Sequence, residues 1–137
     1  MRAHLKLLAA ILALCLGVAA TALAAGLDDP KGYVGVWGGG DDYGETREYY
    51  LEITDYKDGV FTANLDIYRI WGFEGMTALL TEDGSSAILS TRADDDYTVL
   101  AALDFGKDSL HLTVLESDFL PDLPEGTEID FVRSEFN

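Results

Sequence analysis

The stretch TREYYLEITDYKDGVFTANLDIYRIW, residues 46–71, decides the fold. Apolar and polar side chains alternate along it with period two. Tyr49, Leu51 and Ile53 fall on one side of an extended chain, and Glu48, Tyr50, Glu52 and Thr54 on the other. A helix would need apolar residues three and four apart, and that spacing is not sustained here. In the middle, Lys57-Asp58-Gly59 supplies the chemistry of a tight reversal, because glycine takes positive φ without a steric penalty. Beyond it, Phe61, Ala63, Leu65 and Ile67 again share one face. The stretch reads as a β-hairpin with one face to be buried.

The same rhythm continues in both directions. It predicts eight strands, at residues 33–37, 46–54, 60–71, 76–80, 86–92, 97–105, 109–116 and 127–133. Glu82-Asp83-Gly84 and Gly106-Lys107-Asp108 are further reversals, and Gly38-Gly39-Gly40 reads as a flexible connection after the first strand. Tyr97, Val99, Ala101, Leu103 and Phe105 line one face of the sixth strand, and Leu110, Leu112 and Val114 one face of the seventh. Pro30, Pro121 and Pro124 all fall outside strands, as they must where strands pair on both sides. Ahead of the first strand, Asp29 as N-cap and Pro30 at the first helical position predict a single helical turn. Short strands with one buried face each close most simply as an all-β, antiparallel up-and-down barrel, which leaves no exposed edge. A two-sheet sandwich is the alternative closure. In the barrel, Tyr49, Leu51, Phe61, Leu65, Leu103 and Leu112 either fill the interior or line a cavity.

The first 24 residues have a different character. Arg2 and Lys6 precede an apolar run from Leu7 to Val18, and Ala22-Leu23-Ala24 places small residues where a signal peptidase cuts. The run is about twelve residues, short of the roughly 20 that a spanning helix needs. Residues 1–24 are therefore expected to be a cleaved export signal, and residues 25–137 a single domain, secreted or held in a bacterial cell envelope. The one cysteine, Cys15, lies within the signal and follows Leu14, where lipid attachment would require a small residue, so the processed chain has no cysteine for a disulfide. All 25 acidic residues follow residue 24 and only seven basic ones do, which gives the processed chain a formal charge of −18. Nucleic acid and anionic membrane surfaces would be repelled, whereas a basic protein, a cation or an uncharged ligand would not.

Gly35-Val36-Trp37 in the first strand, with Tyr33 ahead of it and Arg133 near the end of the last strand, resembles the G-x-W pattern of the lipocalin and wider calycin group of β-barrels. The resemblance implies that Trp37 closes one end of the barrel, that Gly35 permits close backbone approach, and that Arg133 packs over the indole. Such a cation–π contact is worth about 0.5–2 kcal/mol. The chain is shorter than a typical lipocalin and lacks the family's disulfides. A deep lipophilic cavity is then less to be expected than a narrow barrel filled by side chains.

Few residues suggest chemistry. Asp41-Asp42 with Glu45, and Asp94-Asp95-Asp96, are acidic loop clusters; they read as solvated turns, with calcium as the cation that loop carboxylates could hold. Neither has EF-hand spacing. No other metal or cofactor is implied. His111 is the only histidine after the signal and falls opposite Leu110 and Leu112, as an ordinary strand residue without partners for catalysis. Glu48 and Glu52 could serve acid–base chemistry only if buried and convergent. Gly38-Gly39-Gly40 is followed by aspartates, which would repel a phosphate. No catalytic residue is assigned. Tyr68, Trp71 and Phe73, with Phe119, Leu120 and Leu123 of the longest loop, form the remaining candidate surface, either a plug or a binding mouth. The expectation is a non-enzymatic, lipocalin-like binding module that takes a small apolar ligand or a protein segment at Tyr68, Trp71, Phe73 and Phe119. The alternative is an inhibitor of a basic extracellular hydrolase such as a lysozyme.

Overall fold

A computed structural model describes residues 29–134. The expected export signal and the cleavage position after Ala24 lie outside the described residues. A 3₁₀ turn, Pro30–Tyr33, opens the described chain, capped by Asp29, whose carboxylate accepts from the Lys31 backbone N–H at 3.1 Å. Eight strands follow: β1 Gly35–Asp42, β2 Arg47–Lys57, β3 Val60–Ile67, β4 Trp71–Leu80, β5 Ser86–Ser90, β6 Val99–Phe105, β7 Ser109–Ser117 and β8 Glu128–Arg133. Each pairs antiparallel with its neighbours in sequence, and β1 pairs with β8, so the sheet is a closed up-and-down barrel rather than a sandwich.

The hairpin at residues 46–71 shows how the pattern becomes a wall. Leu51 pairs with Leu65 and Ile53 with Ala63, and these four point inward with 1% exposure or less. A bulge between Ile53 and Asp55 then shifts the alternation by one residue, so that Tyr56 rather than Asp55 faces Phe61 at 4.7 Å. A second irregularity, between Ala63 and Leu65, lies opposite Gly75, whose φ of 63° suits glycine. Its N–H donates to Asn64 Oδ1 at 2.9 Å, and the extra residue lets both Phe73 and Met76 point inward. Inward residues of all eight strands, with Phe119 and Leu123 from the β7–β8 loop, make one hydrophobic cluster. Tyr49, Leu51, Phe61, Leu65, Leu103 and Leu112 all belong to it, so the interior is a packed core. The outer wall carries Glu52, Asn64, Asp66, Glu74, Asp104, Glu128 and Asp130, which is the reverse of what a lipid-facing barrel needs. No described helix is long and apolar enough to cross a membrane.

Two boundaries depart furthest from the sequence reading, while β2 runs on to Lys57, β5 stops at Ser90 and β6 starts at Val99. The third strand stops at Ile67 and β4 begins at Trp71, because Tyr68-Arg69-Ile70 forms a tight turn with Arg69 at φ 61° and the Ile70 N–H on the Ile67 carbonyl. Gly38-Gly39-Gly40 is strand, not a flexible connection. A Cβ on Gly39 would lie 2.6 Å from the Asp130 carbonyl oxygen, and one on Gly38 would lie 3.1 Å from Arg47 Cγ. Gly39 makes room for the seam with β8, which rests on Trp37–Arg133, Gly38–Val132 and Gly39–Phe131, while Gly38 makes room for Arg47 and Tyr50 of β2. Past the seam β1 leaves β8, and β2 side chains satisfy its backbone: Arg47 Nη2 donates to the Gly40 carbonyl at 3.1 Å, and Glu48 accepts from the Asp41 N–H at 3.2 Å.

The topology gives the barrel two unlike ends. The foot holds the 3₁₀ turn, the β2–β3, β4–β5 and β6–β7 turns and the end of β8. The mouth holds the other four connections, including the longest.

Candidate functional site

The foot is closed by aromatic stacking. Trp37 is 1% exposed, stacks on Tyr33 at 5.9 Å, and donates from Nε1 to the Tyr33 carbonyl at 3.0 Å. Tyr33 meets Phe105 edge-on at 4.7 Å, and Phe105 meets Phe61 at 5.4 Å. Arg133 lies over the indole with Cζ 4.1 Å from the ring, and its guanidinium donates to the carbonyls of Val34 and Gly32. A Cβ on Gly35 would stand 2.7 Å from Arg133 Nη1, so glycine there lets the arginine reach across. Gly35, Trp37 and Arg133 thus come together at the foot.

The mouth is built differently. Phe73 and Phe119 meet edge-on at 5.4 Å and are buried, forming its floor. Tyr97 packs on Phe119 at 4.6 Å, and Trp71 contacts Tyr97, Phe119 and Phe73 at 5.3, 6.1 and 6.5 Å. The β7–β8 loop delivers Phe119 and the fully buried Leu123 into this cluster. It is tied to the β5–β6 loop at Thr98, whose N–H donates to Asp118 Oδ1 at 2.7 Å and whose carbonyl accepts from the Asp118 N–H. Phe119 is therefore a plug. The turns at this end also carry an exposed apolar rim: Trp71 at 38%, Tyr68 at 37%, Ile70 at 50%, Tyr43 at 52% and Leu120 at 64%.

Of the residues expected at the site, Trp71, Phe73 and Phe119 come together. Tyr68 stands apart, 5.6 Å from Tyr43 and beneath the Arg69 guanidinium at 5.0 Å. Tyr97 joins the cluster although its period-two position had marked it only as core. Tyr43 and Ile70 were not singled out because each sits in a turn, where no periodicity reports on exposure. Negative charge converges on the same end. Burial first, then Glu48 and Asp122, push the Tyr49 phenol above its ordinary value, and desolvation followed by Glu48 and Asp41 does the same for Tyr43.

The remaining candidates have structural work. Asp42 accepts from the Gly44 N–H at 2.9 Å, Asp94 pairs with Arg92 at 2.7 Å, and Asp95 accepts from the Arg92 N–H at 2.8 Å, so both acidic loops fold on their own carboxylates. Among the described residues no group of three or more histidine, cysteine or acidic side chains could hold a metal ion. Glu48 binds the Asp41 backbone and Glu52 binds Asn64 Nδ2 at 3.2 Å, on separate partners. No polar or charged residue as a whole is buried among those described. His111 is less ordinary than its sequence position suggests, since Asp130 and Glu128 of β8 hold both ring nitrogens. On the outer wall beside the mouth, a groove of about 360 Å³ runs past Tyr50, Asn64 and Gly72.

Comparison of the chain with family models, with curated proteins and with solved structures gave no match.

Proposed function

We propose that this barrel is an exported, non-enzymatic binding module that engages a segment of another protein at its mouth. The observation that carries the reading is the rim: Tyr43, Tyr68, Ile70, Trp71 and Leu120 are large, apolar, solvent-exposed, and gathered at one end of a barrel whose other end is capped. Exposed apolar groups so gathered are characteristic of binding surfaces, and tyrosine and tryptophan bury much area at small entropic cost. The packed interior favours a partner at the rim over a small apolar ligand in the lumen. Export rests on residues 1–24, and the likeness of Gly35-Val36-Trp37 to the lipocalin pattern supports a binding role by analogy of fold.

The test is capture of a partner from the extracellular or envelope fraction by the immobilised protein, compared with an Ile70→Ser/Leu120→Ser variant. Both side chains point into water, so the variant should keep the wild-type unfolding midpoint while losing the captured partner. Capture that is indifferent to the rim would end the proposal.

A second reading, inhibition of a basic extracellular hydrolase such as a lysozyme, is favoured by the formal charge of −16 on the whole chain. Unchanged lysozyme rates at stoichiometric excess and low salt would remove it for that enzyme.

A further inference from the structure

We propose that the mouth selects a cationic segment: a stretch of a partner protein in which one large apolar side chain seats against Trp71 and Leu120 while flanking lysine or arginine side chains meet the carboxylates of the surrounding loops. This rests on the reading of the rim as a binding surface and assigns its partner.

Three of the four connections at the mouth are acidic. Asp41, Asp42 and Glu45 flank Tyr43, Asp94, Asp95 and Asp96 precede Tyr97, and Asp118, Asp122 and Glu125 share the loop of Phe119 and Leu120. Three arginines stand at this end: Arg92 is paired with Asp94, Arg47 donates to the Gly40 carbonyl, and Arg69 lies over Tyr68. The nine loop carboxylates outnumber them, so the apolar rim sits inside net negative charge. Individually such exposed charges contribute little, but together they steer encounter and reject anionic competitors. The apolar seat supplies affinity, and the carboxylates supply selectivity. An extended segment also suits a rim of separate turns, which offers spaced contacts. Trp71, 38% exposed, offers ring surface that suits an apolar side chain or a guanidinium.

The experiment uses the whole protein and three synthetic peptides sharing the same leucine and phenylalanine positions, spaced by lysine, by serine or by glutamate. Binding is followed by tryptophan emission, to which Trp71 responds from the rim while Trp37 is buried at the foot. The lysine peptide should bind about tenfold more tightly than the serine peptide at about 20 mM salt, and most of that advantage should vanish at about 300 mM. An Asp41→Asn/Glu48→Gln/Asp122→Asn variant should lose the preference for lysine and keep the serine peptide's affinity. The matching foot variant, Asp58→Asn/Glu82→Gln/Asp108→Asn, should behave as wild type.

Equal, salt-insensitive affinity for the lysine and serine peptides would overturn the selectivity and leave the rim as a binding surface. An equal loss in the foot variant would overturn it too, by assigning the attraction to net charge. If no peptide binds and sedimentation shows a dimer abolished by Ile70→Ser/Leu120→Ser, the rim belongs to a second copy of this chain and the proposal falls. If nothing binds and no dimer forms, both this proposal and the rim reading fail.

Discussion

His111 stands between two carboxylates on the outer wall, with Nδ1 2.6 Å from Asp130 Oδ1 and Nε2 3.0 Å from Glu128 Oε1. Asp104 of β6 lies opposite it in register. The hydrogen bond to Asp130, then that to Glu128, raise the imidazole pKa above its ordinary 6.5, because both favour the protonated ring. A group whose folded pKa is raised stabilises the fold fully below its unfolded value and loses that contribution as pH rises through the folded one. Wild type should therefore melt about 1–3 °C above His111→Asn below pH 6, with the gap closing as pH rises through the raised folded pKa. A constant gap across that range would show that the ring acts by packing alone. The sequence places Glu128 and Asp130 on one face of the last strand, but only the register of β7 against β8 sets them opposite His111. Trp37 and Arg133 differ in this respect, since a resemblance of pattern had already joined them.

The glycines of β1 show why elements can be misread. A glycine run suggests a loop because glycine tolerates positive φ, yet in this strand's triplet only Gly40, at 71°, uses that freedom. Gly39 is there for space, against the Asp130 carbonyl, Ile129 and Phe131. Gly39→Ala should lower stability by about 1–3 kcal/mol in urea titration, because backbone and packed core must both shift. Gly32→Ala, with nothing within 4 Å of the added methyl, should be neutral or slightly stabilising, and a comparable loss there would refute the steric account. The β3–β4 boundary was hidden for another reason. Ile70 and Trp71 prolong the apolar rhythm through a turn, so periodicity alone cannot find the reversal.

At the scale of the molecule, the formal charge of −16 opposes compaction, while Arg92–Asp94 and the two His111 contacts are ion pairs that offset that repulsion locally. Self-repulsion between exposed carboxylates is screened by salt over a Debye length of about 10 Å at 0.1 M. The unfolding midpoint at neutral pH should therefore rise as sodium chloride goes from about 10 to about 200 mM; a fall would mean that specific ion pairs outweigh repulsion. The sequence by itself determined the all-β class, the number of strands and the inward faces of the second, third, sixth and seventh strands apart from their bulges, because a two-residue period is a local property of an extended chain. Closure, the alliance of Trp71, Phe73, Tyr97 and Phe119, and the presence of Tyr43, Tyr68, Ile70, Trp71 and Leu120 at one end belonged to the tertiary structure. They depend on which strands pair, on bulges that shift the alternation, and on turns that bring residues far apart in the chain to the same rim.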